Sequence, residues 1–150
     1  MKLEILYEDN HCLAVCKPAG LLVQGDRTGD STLAAAAAEY LRQRYGKPGR
    51  VFVGVVHRLD RPVSGVVLLA RTSKAAARLA LQFRRGEVGK HYLALVERAP
   101  PAATGTLEHH LAKDPGTNRT RAVAATHPRA RLARLRYRVA SQHPGGTLVE

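Results

Sequence analysis

Residues 55–68 read Val-Val-His-Arg-Leu-Asp-Arg-Pro-Val-Ser-Gly-Val-Val-Leu, and they gather the groups best suited to chemistry. Pro62 and Gly65 mark a tight turn between two apolar runs. The turn presents His57, Arg58, Asp60 and Arg61 at a strand end. Cations beside a carboxylate favour its charged form, so Asp60, flanked by Arg58 and Arg61, is expected to be ionised at neutral pH. In a partly dry pocket such a carboxylate serves as nucleophile or general base. An Asp–Arg pair can equally stitch a turn and do nothing else, and the residues alone leave both readings open. His57 is expected to be structural, a turn imidazole bonded to backbone.

The flanking sequence supplies the elements that must hold this turn. Residues 3–7 and 12–15 read as short strands, followed by a turn at Lys17-Pro18-Ala19-Gly20. Ser31 is expected to cap a helix over 32–45, with Gly46 just past its end. Residues 51–56 and 66–70 read as strands on either side of the turn. Ser73 is expected to cap a second helix over 74–85, which Gly86 ends and which buries Leu79, Phe83 and its alanines. Further strands are expected over 92–96, 106–111, 120–124 and 132–139. Helices and strands mix without a βαβ rhythm. The fold class is therefore α+β, with a mixed, largely antiparallel sheet flanked by helices. Residues 98–105 are too short a break to divide the chain, so 1–150 is expected to be one domain.

Of the 150 residues 45% are hydrophobic and 24% charged, a globular balance that excludes bulk disorder. No apolar run reaches the ~18 residues of a membrane span. The start of the chain lacks the features of a secretory signal, and two cysteines are too few for a disulfide framework, so a cytoplasmic location is expected. The net charge is +12, split as +4 over residues 1–75 and +8 over 76–150. Such an excess fits a polyanionic partner, most often nucleic acid. Within 132–139, Arg134, Arg136 and Arg138 alternate with Leu135, Tyr137 and Val139, which on a strand gives one cationic and one apolar face. That row suits successive phosphates; a merely solvated face would look the same. Arg119, Arg121, Arg84 and Arg85 extend the basic surface. His11, Cys12 and Cys16 lack a second ligand pair at zinc spacing, so no metal is expected. The glycines at 25 and 29 do not form a phosphate-binding loop.

Beyond these residue-level readings, His57-Arg58-Leu59-Asp60 with Ser64-Gly65 resembles the signature of the RluA-type pseudouridine synthases. Lys17-Pro18-Ala19-Gly20-Leu21 resembles the family's N-terminal turn. Ala70-Arg71-Thr72-Ser73-Lys74-Ala75, Lys90-His91-Tyr92-Leu93-Ala94, His110-Leu111-Ala112-Lys113-Asp114 and Asn118-Arg119 follow in the family's order, so the likeness runs over residues 3–149. It implies a pseudouridine synthase catalytic fold without a separate RNA-binding domain. It also implies isomerisation of uridine to pseudouridine in structured RNA, ribosomal or transfer: the N1–C1′ bond breaks, the base turns and a C5–C1′ bond forms. Neither cofactor nor metal is implied. Asp60 would attack the nucleotide, Tyr92 would stack on the target base and assist removal of the C5 proton, and Arg58 would reach the RNA beside the flipped nucleotide. Arg61 is a further substrate-binding candidate. Arg119, Arg134, Arg136 and Arg138 are candidates for the RNA backbone.

Two rivals remain at this level. One is a non-catalytic RNA-binding module of the same fold. The other is a nucleoside or glycoside hydrolase using Asp60, which would want a second carboxylate nearby; Asp26, Asp30, Glu87 and Asp114 are available, none tied to the site by sequence. The resemblance implies that the family continues beyond Leu148-Val149-Glu150 into a Gly-Arg-x-His-Gln-containing motif and further strands, a region that supplies another basic residue facing the aspartate. The chain is thus expected to be a C-terminally incomplete form, poorly active and prone to associate, and monomeric and active when complete.

Overall fold

The computed structural model describes residues 3–25, 29–117 and 119–150. It divides into two compact units, Met1–Gly89 and Lys90–Glu150. Among the described residues every strand ladder is antiparallel, as the α+β reading expects.

The first unit carries a four-stranded sheet in the order β1-β2-β4-β3. Its strands are β1 (Glu4–Glu8), β2 (Cys12–Lys17), β3 (Gly54–Val55) and β4 (Gly65–Ala70). Along β2 burial alternates strictly: Leu13, Val15 and Lys17 are buried, while Cys12, Ala14 and Cys16 are half-buried. Period-two geometry thus sends one set of side chains into the core and leaves the cysteines on the other face. The core-facing set meets Val67 and Leu69 of β4 and the helix α1 (Leu33–Arg44), which buries Leu33, Ala37 and Leu41 one turn apart. Burying this apolar set is the main stabilising term of the unit. The expected strand over 51–56 shortens to β3. It is an edge strand, and only Gly54 and Val55 find partners on β4, although Val51 and Val53 still pack on the core.

The second helix, α2 (Ser73–Arg85), lies against β3 and β4. A Cβ at Gly54 would come 2.8 Å from the Cβ of Ala76, so glycine is what lets the helix approach. Both helices start one residue away from the expected cap. Thr32 and Thr72, not Ser31 and Ser73, are extended and accept from the N–H three residues on, at 3.1 Å in each case. In each Ser/Thr pair the threonine precedes the first helical residue, and the sequence alone could not fix that register. Gly86 ends α2 with φ near +70°.

Glu8 pins the C-terminal end of α1 to β1. Its carboxylate accepts from Tyr40 (2.8 Å) and Tyr45 (2.6 Å) and pairs with Arg71 (3.1 Å) and Arg44 (3.5 Å). Burial pushes its pKa up, but the two phenol bonds and two guanidinium charges outweigh that and hold it below the usual carboxylate range.

The second unit is a five-stranded sheet in the order β5-β9-β8-β6-β7. It comprises β5 (Ala94–Val96), β6 (Thr104–Lys113), β7 (Thr120–Ala122), β8 (Arg131–His143) and β9 (Gly146–Val149). Register places Leu107 opposite Leu135 and Gly105 opposite Tyr137 on one face. A Cβ at Gly105 would meet the Tyr137 ring at 2.6 Å; the aromatic lies over the bare glycine backbone. Leu107 and Leu135 are each about half exposed, so this apolar face is largely open. The other face carries Thr104, Thr106 and Glu108 opposite Arg138, Arg136 and Arg134.

Two outcomes check this fold. Thr72→Ala should cost about 1 kcal/mol in urea unfolding, whereas Ser73→Ala should cost much less. Glu8→Gln should destabilise by about 1–3 kcal/mol at neutral pH. Because Glu8 has a depressed folded pKa, that contribution is present above the unfolded value and lost as pH falls through the folded one. The gap between wild type and variant should therefore close on acidification.

Candidate active site

The segment between β3 and β4 alternates between anchors and exposed groups. His57 accepts from the Leu68 backbone N–H through Nε2 at 2.9 Å and stacks on Phe83 at 4.6 Å between ring centroids. Leu59 packs on the core and lies 3.6 Å from where a Cβ of Gly65 would be. Between these inward residues, Arg58 and Asp60 are exposed. The order His-Arg-Leu-Asp is therefore hold, present, hold, present. The Val63 N–H closes a turn onto the Asp60 carbonyl at 3.0 Å, which fixes the backbone just behind the carboxylate. As expected from sequence, His57 bonds to backbone.

A second turn backs the first. The Gly20 N–H donates to the Arg61 carbonyl at 2.7 Å, and Arg61 Nε returns a bond to the Gly20 carbonyl at 3.0 Å. Lys17 lies beneath both turns, with no solvent exposure. Its Nζ donates to the carbonyls of Leu21 (2.7 Å), Pro18 (3.0 Å) and Arg61 (3.2 Å), which uses all three ammonium protons. Burial pushes the Lys17 pKa down, and the Asp60 negative charge pulls part of that back. Asp60 thus faces a buried positive charge 43 positions away in sequence, supplied by the Lys-Pro-Ala-Gly turn. Sequence reasoning placed Lys17 in a turn motif and missed this role. The available signal was a lysine continuing the buried parity of Leu13 and Val15.

The expected neighbours of Asp60 are arranged differently. The Arg61 guanidinium pairs with Asp30 at 3.0 Å. The ion pairs of the described residues include none between Arg58 and Asp60; Arg58 is exposed beside the carboxylate in sequence. Of the four carboxylates available to a hydrolase, Asp30 is joined to the site turn through Arg61, which sequence did not anticipate. Glu87 pairs with Arg85 at 3.8 Å, Asp114 belongs to the second unit, and Asp26 lies outside the described residues. No group of three or more His, Cys, Asp or Glu suited to a metal occurs among the described residues.

The remaining candidates belong to the second unit. Tyr92 is 53% exposed and precedes β5 rather than lying on it. The β5–β9 ladder runs only from Val96↔Thr147 to Ala94↔Val149, so the expected strand loses its first two residues. Arg134 pairs with Glu108 at 2.6 Å and Arg138 with Glu150, while Arg136 makes no ion pair among the described residues. The alternation read from sequence holds, but two of its three charges are matched by carboxylates. Arg119 is exposed, and its carbonyl accepts from the Asp114 N–H at 2.8 Å. Asn118 lies outside the described residues.

The antiparallel α+β scaffold that carries this exposed aspartate corresponds to a known class. The family model for RNA pseudouridylate synthase matches residues 11–150, and the chain belongs to that family. Among its relatives, ribosomal large subunit pseudouridine synthase C of Vibrio vulnificus is 34% identical over 146 residues, covering 97% of this chain and 43% of the relative. Ribosomal large subunit pseudouridine synthase D of Zymomonas mobilis is 33% identical over 99% of this chain and 47% of its own length. A tRNA pseudouridine synthase C of Pasteurella multocida is 45% identical over 96 residues, 64% of this chain and 37% of the relative. Human RNA pseudouridylate synthase domain containing 4 superposes with a TM-score of 0.80 at 23% identity, over 97% of this chain and 57% of that one, and shares the fold. The chain spans about half the length of the curated relatives it matches.

The Lys17 arrangement makes a measurable claim. Lys17→Met keeps the volume but leaves three carbonyls without their donor. It should destabilise the protein by about 1–3 kcal/mol, read from the urea midpoint at constant m-value.

Proposed function

We propose that this chain carries the catalytic part of an RNA pseudouridine synthase, isomerising uridine in ribosomal or transfer RNA. The observation that carries the reading is the presentation of Asp60 and Arg58 on the open side of a turn held by His57, Leu59 and the buried Lys17. Family membership supports the same activity. Among the described residues no helix is long and apolar enough to cross a membrane. We place the protein in the cytoplasm and take it as a monomer.

In the proposed reaction the Asp60 carboxylate attacks the target nucleotide as the N1–C1′ bond breaks. The detached base stays in the pocket and turns. C5 then bonds to C1′, the C5 hydrogen leaves as a proton, N1 takes up a proton, and the carboxylate is regenerated. Substrate and product are isomers, so the step needs no redox partner and no imported group. What it needs is a fixed nucleophile and a base that cannot escape, which is an effective-concentration problem. Tyr92 is assigned to stacking on the base and assisting loss of the C5 proton. Taking a uridine out of its stack costs a few kcal/mol, and Arg58 offsets part of this by gripping phosphate or filling the vacated space. Arg61 ties the turn to Asp30 and contacts substrate from there. Arg119 and Arg136 are assigned to the RNA backbone, with Arg134 and Arg138 sharing their charge with Glu108 and Glu150.

Asp60→Asn should retain the fold and RNA affinity and abolish tritium release from RNA carrying 5-tritiated uridine. Release at a near wild-type rate in the variant would overturn the assignment. Free uracil among the products would point instead to a hydrolase.

A further inference from the structure

The second unit holds a cleft that the catalytic reading does not use. It measures about 510 Å³ and is lined by Leu111 and Lys113 of β6, Pro128, Arg129 and Ala130 of the following loop, and Arg131 at the start of β8. Leu111 and Arg131 are direct cross-strand partners, and Lys113 lies two residues further along the same face. Two strand steps are ~6.6–6.8 Å, so Lys113 and Arg131 flank the Leu111 side chain on one side of the sheet.

Arg129 enters from the loop. The loop is fixed by its own bonds: His127 N–H to the Ala124 carbonyl at 3.0 Å, Ala130 N–H to the His127 carbonyl at 2.8 Å, and Arg129 N–H to His127 Nδ1 at 3.1 Å. Three cations therefore line the cleft together with the apolar Leu111, Pro128 and Ala130. None of the three makes an ion pair among the described residues, in contrast to Arg134 and Arg138 on the opposite face. The nearest carboxylate in sequence, Asp114, is turned to its own loop. It accepts from the Gly116 N–H at 2.9 Å, and backbone N–H groups hold its pKa low. Its remaining charge acts on Arg121, whose partner Ala112 has the other parity on β6.

Unmatched cations interspersed with apolar side chains suit a ligand with repeated negative charges separated by less polar groups. A phosphodiester strand has that pattern, with ribose and base between phosphates. We infer that the Lys113–Arg129–Arg131 cleft is a docking site for the backbone of an RNA strand, separate from the arginine row of β8. The inference rests on the RNA-modifying reading above and specifies where the RNA flanking the target lies. The loop bonds fix the Arg129 backbone before binding, so little ordering cost falls on the complex.

The test is equilibrium binding of a fluorescein-labelled, uridine-containing RNA hairpin over a salt series. It compares wild type, the exposed-loop variant Arg129→Glu, and the combined Lys113→Ala, Arg129→Ala, Arg131→Ala variant. Counterion release predicts that the slope of log K against log salt falls by about 2 in the combined variant and by about 1 for Arg129→Glu. Affinity at low salt should fall at least tenfold in the combined variant, with unchanged thermal unfolding. An unchanged slope and affinity, in a protein that binds the hairpin, would overturn the cleft and leave the RNA reading standing. Absence of salt-dependent hairpin binding by wild type would overturn both. Poly-glutamate binding wild type as tightly as the hairpin, with the same loss in the variant, would assign the cleft to an acidic protein and also overturn the proposal.

Discussion

A lysine ammonium removed from water is the constraint around which the first unit is organised. Lys17 is fully buried, and its three protons go to carbonyls of Pro18, Leu21 and Arg61. A buried charge without such partners would cost several kcal/mol. Satisfying it therefore forces two turns, distant in sequence, into one geometry. The negative charge of Asp60 in turn offsets part of the cost of burying that ammonium.

Period-two alternation does the rest of the positioning in both units. On β2 it sends Leu13, Val15 and Lys17 inward together. Through 57–60 it holds His57 and Leu59 and presents Arg58 and Asp60. On β8 it separates Arg134, Arg136 and Arg138 from Leu135 and Tyr137. The second sheet is cationic on one face and apolar on the other, and Lys113 and Arg131 bring charge to the end of the apolar side. On the strands, charge and apolar surface are thus distributed by register, and the loop before β8 adds Arg129.

Much of this was legible in the residues. The antiparallel α+β class, both helices and the HRLD turn follow from patterning, punctuation and motif. Two kinds of feature were not. One is fine register: Ser31-Thr32 and Thr72-Ser73 each offer two competent caps, and only packing selects the threonine. The other is pairing across distance. Nothing local says that Arg61 will pair with Asp30, that Arg134 will meet Glu108, or that the charge behind Asp60 is Lys17. Edge strands were overextended for a related reason: residues 51–53 and 92–93 have strand composition but no partner backbone on the ladder.

The link between Lys17 and Arg61 also bears on when the site exists during folding. It spans 44 residues and sits at the end of the β2–β4 ladder, with α1 in the intervening chain. The helix can form from local contacts, but closing a loop of that length has an entropic cost that only long-range pairing offsets. The turn that presents Asp60 is therefore a late product of chain collapse. Until β4 has docked on β2, a growing or partly unfolded chain carries a helix and a hairpin but no assembled carboxylate site.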